Sequence, residues 1–418
     1  MTDTHSTNLI LTPADGKLPL GFQWAATKAG IKASGNLDLA LAVAPAGATA
    51  AVMYTKNQVV AAPVTVGREH IAHSKGRMQA VLINSGNANC ANGAQGIAAC
   101  RTSCDALANA LGCTPQEIFP SSTGIIGVPL PAEKLTAAIP AAIAVLASDA
   151  EAAKLFARAI MTTDTKPKTA LSSFVVDGAS GKKKTVHIFG ACKGAGMIGP
   201  QVGPPHATML VYLFTDIGAC AEELRAILQT AVEPSFNSIS IDGDTSTNDT
   251  VLLLASGASG VTMNEARAEF KHALDAVCQS LAYQIIDDGE GVTHIVTLNI
   301  TGARTEAEAR QVARTIANSP LCKTAWSSGD PNWGRILAAA GYSGVSFDPA
   351  RVNIHIGPYP VFEHGMRSPA FDEAATHKHM LEREYSIHFD LGQGAEGCRF
   401  ITCDLTAEYV SINADYST

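Results

Sequence analysis

Charge is scarce in this chain. Only 16% of its 418 residues are Asp, Glu, Lys or Arg, and they sum to −8. Without a basic excess the sequence lacks the footprint of a nucleic-acid or anionic-membrane binder. Long apolar runs are missing too. The longest, Ala137 to Ala147, is interrupted by Pro140 and reads as a buried Ala-rich helix, not a membrane span. The first residues, Met1 to Asn8, show no basic segment followed by an apolar one, so no secretion signal is expected and the chain reads as cytoplasmic. The ten cysteines contain no C-x-x-C pair, and free buried thiols in a reducing compartment are the expectation.

What is present is a globular composition, 46% hydrophobic, in a chain long enough for two or three domains and a large core. The stretch richest in loop chemistry runs from Lys193 to Leu210. It lies between two apolar runs that read as strands, Thr185 to Cys192 and Met209 to Phe214. Its glycines and prolines forbid a helix or a continued strand. Gly194-Ala-Gly196-Met-Ile-Gly199 matches G-x-G-x-x-G, but the dinucleotide motif needs a helix opening at those glycines, and Pro200, Pro204 and Pro205 prevent one. A structural glycine loop is the plainer reading. Thr208 is delivered from this loop to the start of a buried strand, a costly place for a hydroxyl without a partner or a task. One way to activate a threonine is to cut the chain before it, because the freed α-amine then serves as the adjacent base.

Other polar segments punctuate the chain. Strand Ala80 to Ile83 runs into the Asn/Gly-rich segment Asn84 to Gly93, which could present amides and N–H groups to a ligand or simply make turns. Ser121-Ser-Thr123-Gly124-Ile-Ile-Gly127 reads as a short turn in which a hydroxyl and a backbone N–H could meet one oxygen. Helical patterns cover 97–111, 133–147, 150–160 and 264–284, the last from Phe270, Leu274, Val277 and Leu281. Asp242 to Asp249 resembles a calcium loop, yet its sixth and twelfth places hold Thr247 and Leu253 where glycine and glutamate are required, so no metal is expected. Gly181 to Lys184 reads as a solvated basic hairpin tip. After Asp288-Gly-Glu290-Gly the pattern turns to strand 292–301, helix 305–318, and strands 351–356, 385–390 and 399–410, which sets a domain boundary at 287/288.

Lys193-Gly-Ala-Gly-Met-Ile with Ala207-Thr-Met-Leu resembles the self-cleavage segment of the bifunctional ornithine acetyltransferase, or glutamate N-acetyltransferase, family. The likeness continues in Asn84-Ser-Gly-Asn-Ala-Asn, Ser122-Thr-Gly-Ile-Ile-Gly, Met161-Thr-Thr-Asp-Thr, Ile241 to Asp249, Asp288-Gly-Glu-Gly, Asp330-Pro-Asn-Trp-Gly-Arg and the terminal Asn413 to Thr418. One departure is a longer Gly199–His206 segment than the family carries.

The resemblance implies an α+β fold: a layered sandwich of the N-terminal-nucleophile kind over 1–287, and a smaller α/β domain over 288–418. It implies self-cleavage between Ala207 and Thr208 into chains 1–207 and 208–418, assembled as a heterotetramer. Thr208 becomes the nucleophile, Thr123 and Gly124 the oxyanion hole, and Thr163, Lys193, Thr208, Glu290, Asn413 and Thr418 the substrate contacts. Which of Thr162, Thr163 and Thr165 touches substrate is left open; Thr163 is the choice by alignment. The implied reaction moves acetyl from N2-acetyl-L-ornithine to L-glutamate in arginine biosynthesis, without a cofactor, with acetyl-CoA as a conceivable further donor. Rival readings keep the same nucleophile in a hydrolase, alter the acyl or amine substrate, or keep an uncleaved pocket for binding alone.

Overall fold

A computed structural model of the chain describes residues 16–177, 183–199 and 209–415. Ala207, Thr208 and Thr418, and the start of the basic tip at Gly181, therefore lie outside the described residues. Among those described, the strands form two sheets flanked by helices.

The first sheet holds β1 (Gln23–Thr27), β2 (Leu39–Tyr54), β3 (Arg77–Asn87), β4 (Ile118–Ile125), β5 (Lys168–Asp177), β6 (Lys183–Lys193), β7 (Leu210–Thr215) and, after the two-residue β8 (Ile239–Ser240), β9 (Thr250–Ala255). Its order is β4-β3-β2-β9-β7-β6-β5, with β1 paired to the first part of β2. Strand β7 is buried at every position. Its Val211 and Leu213 pack towards one layer of helices and Leu210, Tyr212 and Phe214 towards the other, so a strand covered on both faces reads as an unbroken apolar run.

On the first face lie α5 (Ala221–Val232) and α6 (Met263–Asp287), and on the other α1 (Ala62–His73) and α4 (Ala150–Ala159), while α2 (Gly93–Leu111) and α3 (Ala132–Ala144) pack on β2, β3 and β4 from the side opposite α1 and α4. Helix α6 opens with a capping box between Thr262 and Glu265 and buries Phe270, Leu274, Val277 and Leu281, as their spacing requires. It packs along β5 and β6 and ends at the Asp288–Gly291 turn.

The second sheet comprises β10 (Ile295–Ala303), β11 (Asn353–Ile356), β12 (Tyr359–Glu363), β13 (Met366–Arg367), β14 (Glu384–Asp390) and β15 (Glu396–Cys403). Strand β8 joins it by pairing parallel to β15, so a strand that precedes β9 and α6 in the chain completes this sheet. Helices α7 (Glu306–Ala317), α8 (Pro320–Ser327), α9 (Trp333–Gly341) and α10 (Glu373–Met380) accompany it, with Val312, Ile316, Trp326 and Ile336 in its core.

Two sequence expectations are corrected here. Residues 404–410, read as the end of a strand, instead leave the sheet at Cys403 and form α11 (Ala407–Asp415). Asp404 turns the chain by accepting the N–H groups of Thr293 and His294, and Thr406 then donates its hydroxyl to the Gly291 carbonyl. Second, the Ser121–Gly124 segment is the end of β4, not a free turn; it pairs in parallel with β3, Ser85 opposite Thr123 and Gly86 opposite Gly124.

Candidate active site

The carboxyl ends of β3 and β4, the end of β6 and the start of β7 converge on one cavity of about 220 Å³. Thr123, Gly124, Thr163, Lys193, Glu290 and Asn413 all line it. These are all the predicted site residues that fall within the described chain. Thr162 lines it as well, whereas the Thr165 hydroxyl is turned away to donate to Asp288.

The oxyanion candidate is fixed by backbone crowding. Gly124 has φ +132°, and a Cβ there would lie 2.3 Å from the Gly86 carbonyl carbon and 2.5 Å from the Asn87 nitrogen. Two glycines thus let the chains approach closely at the strand end. Lys193 donates from Nζ to the Thr123 hydroxyl at 3.3 Å, setting a cation beside the place where negative charge would develop.

The Asn84–Asn89 amides do not reach out to a ligand, contrary to one reading of their sequence. They bind the protein's own groups: Asn84 Nδ2 donates to the Asn87 carbonyl at 2.8 Å, and Asn84 Oδ1 accepts the Ser122 hydroxyl at 2.6 Å. From the opposite wall Asn248 Nδ2 donates to the carbonyls of Ala88 (2.6 Å) and Ser122 (2.9 Å). The short residues of this motif serve as struts for β4. The segment Asp242–Asp249 lines the cavity too, and Asp242 accepts the N–H groups of Met197 at 2.7 Å and Ile198 at 2.8 Å. Burial pushes the Asp242 carboxyl up against the pull of those N–H bonds.

At the far side Glu290 accepts a hydrogen bond from Asn413 Nδ2 at 2.8 Å, so α11 brings Asn413 to the site. The Glu290 N–H donates to the Ala195 carbonyl at 2.9 Å. A Cβ on Gly196 would sit 2.4 Å from Glu290 Oε2, so a larger residue where the loop passes this carboxylate would have to displace it.

Sequence reasoning missed the charged cluster behind these walls. Asp164, Lys168 and Asp288 are buried together: Lys168 Nζ donates to Asp164 Oδ1 at 2.6 Å and to Asp288 Oδ2 at 2.5 Å. Asp164 also accepts the N–H of Gly194 at 2.7 Å and of Thr162 at 2.9 Å. The available signal was a lysine opening an otherwise apolar strand, Lys168-Thr-Ala-Leu, with acids in two neighbouring motifs. Burial opposes ionisation of Asp164, but Lys193, Lys168 and the Thr162 N–H outweigh it and hold its carboxyl at about 2. Because folding lowers this value, the stability it contributes is fully present above about pH 4 and is lost as pH falls through about 2. Denaturant melts of wild type and Asp164→Asn should therefore show a stability gap that narrows by roughly 2 kcal/mol across that window. A gap independent of pH would refute the assignment.

No group of three or more His, Cys, Asp or Glu side chains able to hold a metal occurs among the described residues, and no helix there is long and apolar enough to cross a membrane.

The model of the ArgJ family matches residues 23–418. The arginine biosynthesis bifunctional protein ArgJ of Thermus thermophilus is 44% identical over 402 residues, covering 96% of this chain and 99% of the relative. That of Neisseria meningitidis serogroup B is 40% identical over 395 residues, covering 93% and 94%. Among solved structures, ArgJ from Bacillus halodurans aligns with a TM-score of 0.47 at 37% identity, over 49% of this chain and 98% of that one. Ornithine acetyltransferase from Mycobacterium tuberculosis, complexed with ornithine, aligns with a TM-score of 0.38 at 36% identity, over 44% and 94%.

Proposed function

Since the chain belongs to the ArgJ family, we propose that it carries the acetyl group of N2-acetyl-L-ornithine to L-glutamate through an acetyl-threonine at Thr208, in arginine biosynthesis. The observation that supports this most is the convergence of Thr123, Gly124, Thr163, Lys193, Glu290 and Asn413 on one cavity at the head of β7.

The chain first works on itself. The Thr208 hydroxyl attacks the Ala207 carbonyl and the C–N bond breaks, which frees the Thr208 amine and leaves an ester; water then hydrolyses that ester, restoring the hydroxyl and separating 1–207 from 208–418. In the processed enzyme that amine takes the proton from its own hydroxyl, which attacks the acetyl carbonyl of the donor. Thr123 and Gly124 meet the developing oxyanion, and the Lys193 ammonium beside Thr123 steadies it. The same positive charge favours the neutral form of the Thr208 amine. As the tetrahedral species collapses, the amine's extra proton passes to the leaving nitrogen of ornithine. Glutamate then enters, loses a proton from its amine to the same base, and attacks the ester to give N-acetylglutamate.

Thr163 and Lys193 hold the amino acid's carboxylate in this reading. Glu290, backed by Asn413, meets the donor's terminal ammonium. Exchange of one acyl group between two amines balances without a redox carrier or a metal, so no cofactor is required; acetyl-CoA would enter only as another source of the same acetyl group. The proposed assembly is a cytoplasmic heterotetramer of two 1–207 and two 208–418 chains.

Because the first product leaves before the second substrate binds, double-reciprocal plots at several fixed donor concentrations should be parallel. Incubation with N-acetylornithine alone should leave one acetyl group on the 208–418 fragment by intact mass. Intersecting lines with an unmodified fragment would point to direct transfer and overturn the acyl-enzyme.

A further inference from the structure

The buried lysine joins parts of the site that are far apart in sequence. Asp164 belongs to the wall segment that carries Thr163, and through the Gly194 N–H it grips the residue that follows Lys193. Asp288 lies two residues before Glu290 and is held from the other side by the Thr165 N–H at 3.1 Å and the Thr165 hydroxyl. Lys168 Nζ bridges the two carboxylates, and the Glu290 N–H closes the circuit on the Ala195 carbonyl. The result is a closed ring, Lys168 to Asp164 to Gly194–Ala195 to Glu290–Asp288 and back to Lys168. Lys193 and Glu290, the cationic and anionic ends offered to the substrate, both hang from this ring.

All three ionic members are shut off from water, with side-chain exposures of 0% for Lys168, 0% for Asp164 and 3% for Asp288. Such a buried cluster is poor evidence for stability, because desolvation consumes most of the attraction; what it does supply is fixed geometry. Every bond in the ring is directional, so a shift of Glu290 relative to Lys193 would strain or break one of them, either the Glu290–Ala195 backbone bond or a bond to a buried charge.

We propose that Lys168 is a positioning residue that sets the span between Lys193 and Glu290, and so selects the chain length of the amino-acid donor. This rests on the acyl-transfer reading above, in which the donor's carboxylate faces Lys193 and its terminal ammonium faces Glu290. With that span fixed, an N-acetyl diamino acid one methylene longer than N-acetylornithine must compress, tilt its acetyl group away from Thr123 and Gly124, or leave its ammonium short of an ideal partner. One methylene is worth roughly 10- to 200-fold in kcat/KM in a site that measures length.

The test is the ratio of kcat/KM for N-acetylornithine to that for N2-acetyllysine. Lys168→Met alone strands two buried carboxylates and invites unfolding. The pair Lys168→Met with Asp288→Asn keeps the buried net charge at one negative, retains the volume of the lysine stem, and still offers Thr165 an acceptor, while cutting the bridge. The ratio should fall about tenfold in the pair variant, with the donor preference relaxed and the thermal melt still cooperative. Thr165→Val removes only the hydroxyl bond to Asp288, and its ratio should fall about threefold; it decides the matter if the pair variant does not fold. Wild-type transfer with an unchanged ratio in the folded variant, even if overall activity drops, overturns the role of Lys168 alone. No transfer by the wild-type enzyme from either donor overturns the functional reading as well.

Discussion

A chain carrying Thr208→Ala is expected to run as a single band on a denaturing gel and to transfer no acetyl group above background. The expected fall in kcat is at least about 10⁴-fold, since both the self-cleavage and the acyl transfer begin on the same oxygen. The surroundings should survive the change, because β7 and the cavity wall are held by contacts that do not involve that hydroxyl: Leu210 and Val211 pair with Thr250 and Val251 of β9 and with Lys193 and Cys192 of β6. The outcome is read in two ways, by N-terminal sequencing for a fragment that starts at position 208 and by acetyl transfer to glutamate. Cleavage of the variant at that bond would mean that another group starts the reaction.

Gly124→Ala is the second large effect. The new methyl would meet backbone atoms of Gly86 and Asn87, which cannot swing aside as a side chain could. The φ of +132° is also one that residues bearing a Cβ rarely adopt. The end of β4 must then move, and the Thr123–Gly124 donors with it. Loss of one well-placed donor to an oxyanion costs roughly 10²–10³ in kcat, and that is the expected loss here. The measurement is single-turnover acetyl loading of the processed enzyme, with circular dichroism to check the fold. A loading rate within about threefold of wild type would show that the oxyanion is held elsewhere.

The parts of the chain whose pattern is local were legible. The run 209–214 is β7 to within a residue, and 264–284 is the body of α6, because burial on both faces and burial on one face leave different apolar periods. The six site residues that line the cavity were named by motif, but their convergence is tertiary: β3 and β4 pair in parallel, and Glu290 arrives from the end of α6. Tertiary context also explains the failures. Ser121 to Gly124 carries a turn's composition yet ends a strand, since β3 offers it a glycine at the point of closest approach. Residues 407–410 are apolar enough for a strand, but Asp404 and Thr406 stop the sheet and start a helix. The Lys168 ring could not be read at all, because its ionic members are separated by up to 124 positions, from Asp164 to Asp288, and nothing in a lone lysine announces two buried partners.

In a chain cut before Thr208, strands β7 and β9 belong to one fragment but lie between β2 and β6 of the other. Neither piece can be withdrawn without unzipping two ladders at the centre of the sheet. The cut therefore works as a ratchet on folding. The continuous chain can thread its middle strands into place as a single molecule, with a rate that does not depend on concentration. Once cleaved and unfolded, the same molecule must be rebuilt from two strangers, each lacking the neighbours that would cover its apolar strands. Its durability then rests on how slowly it opens, not on how readily it closes again.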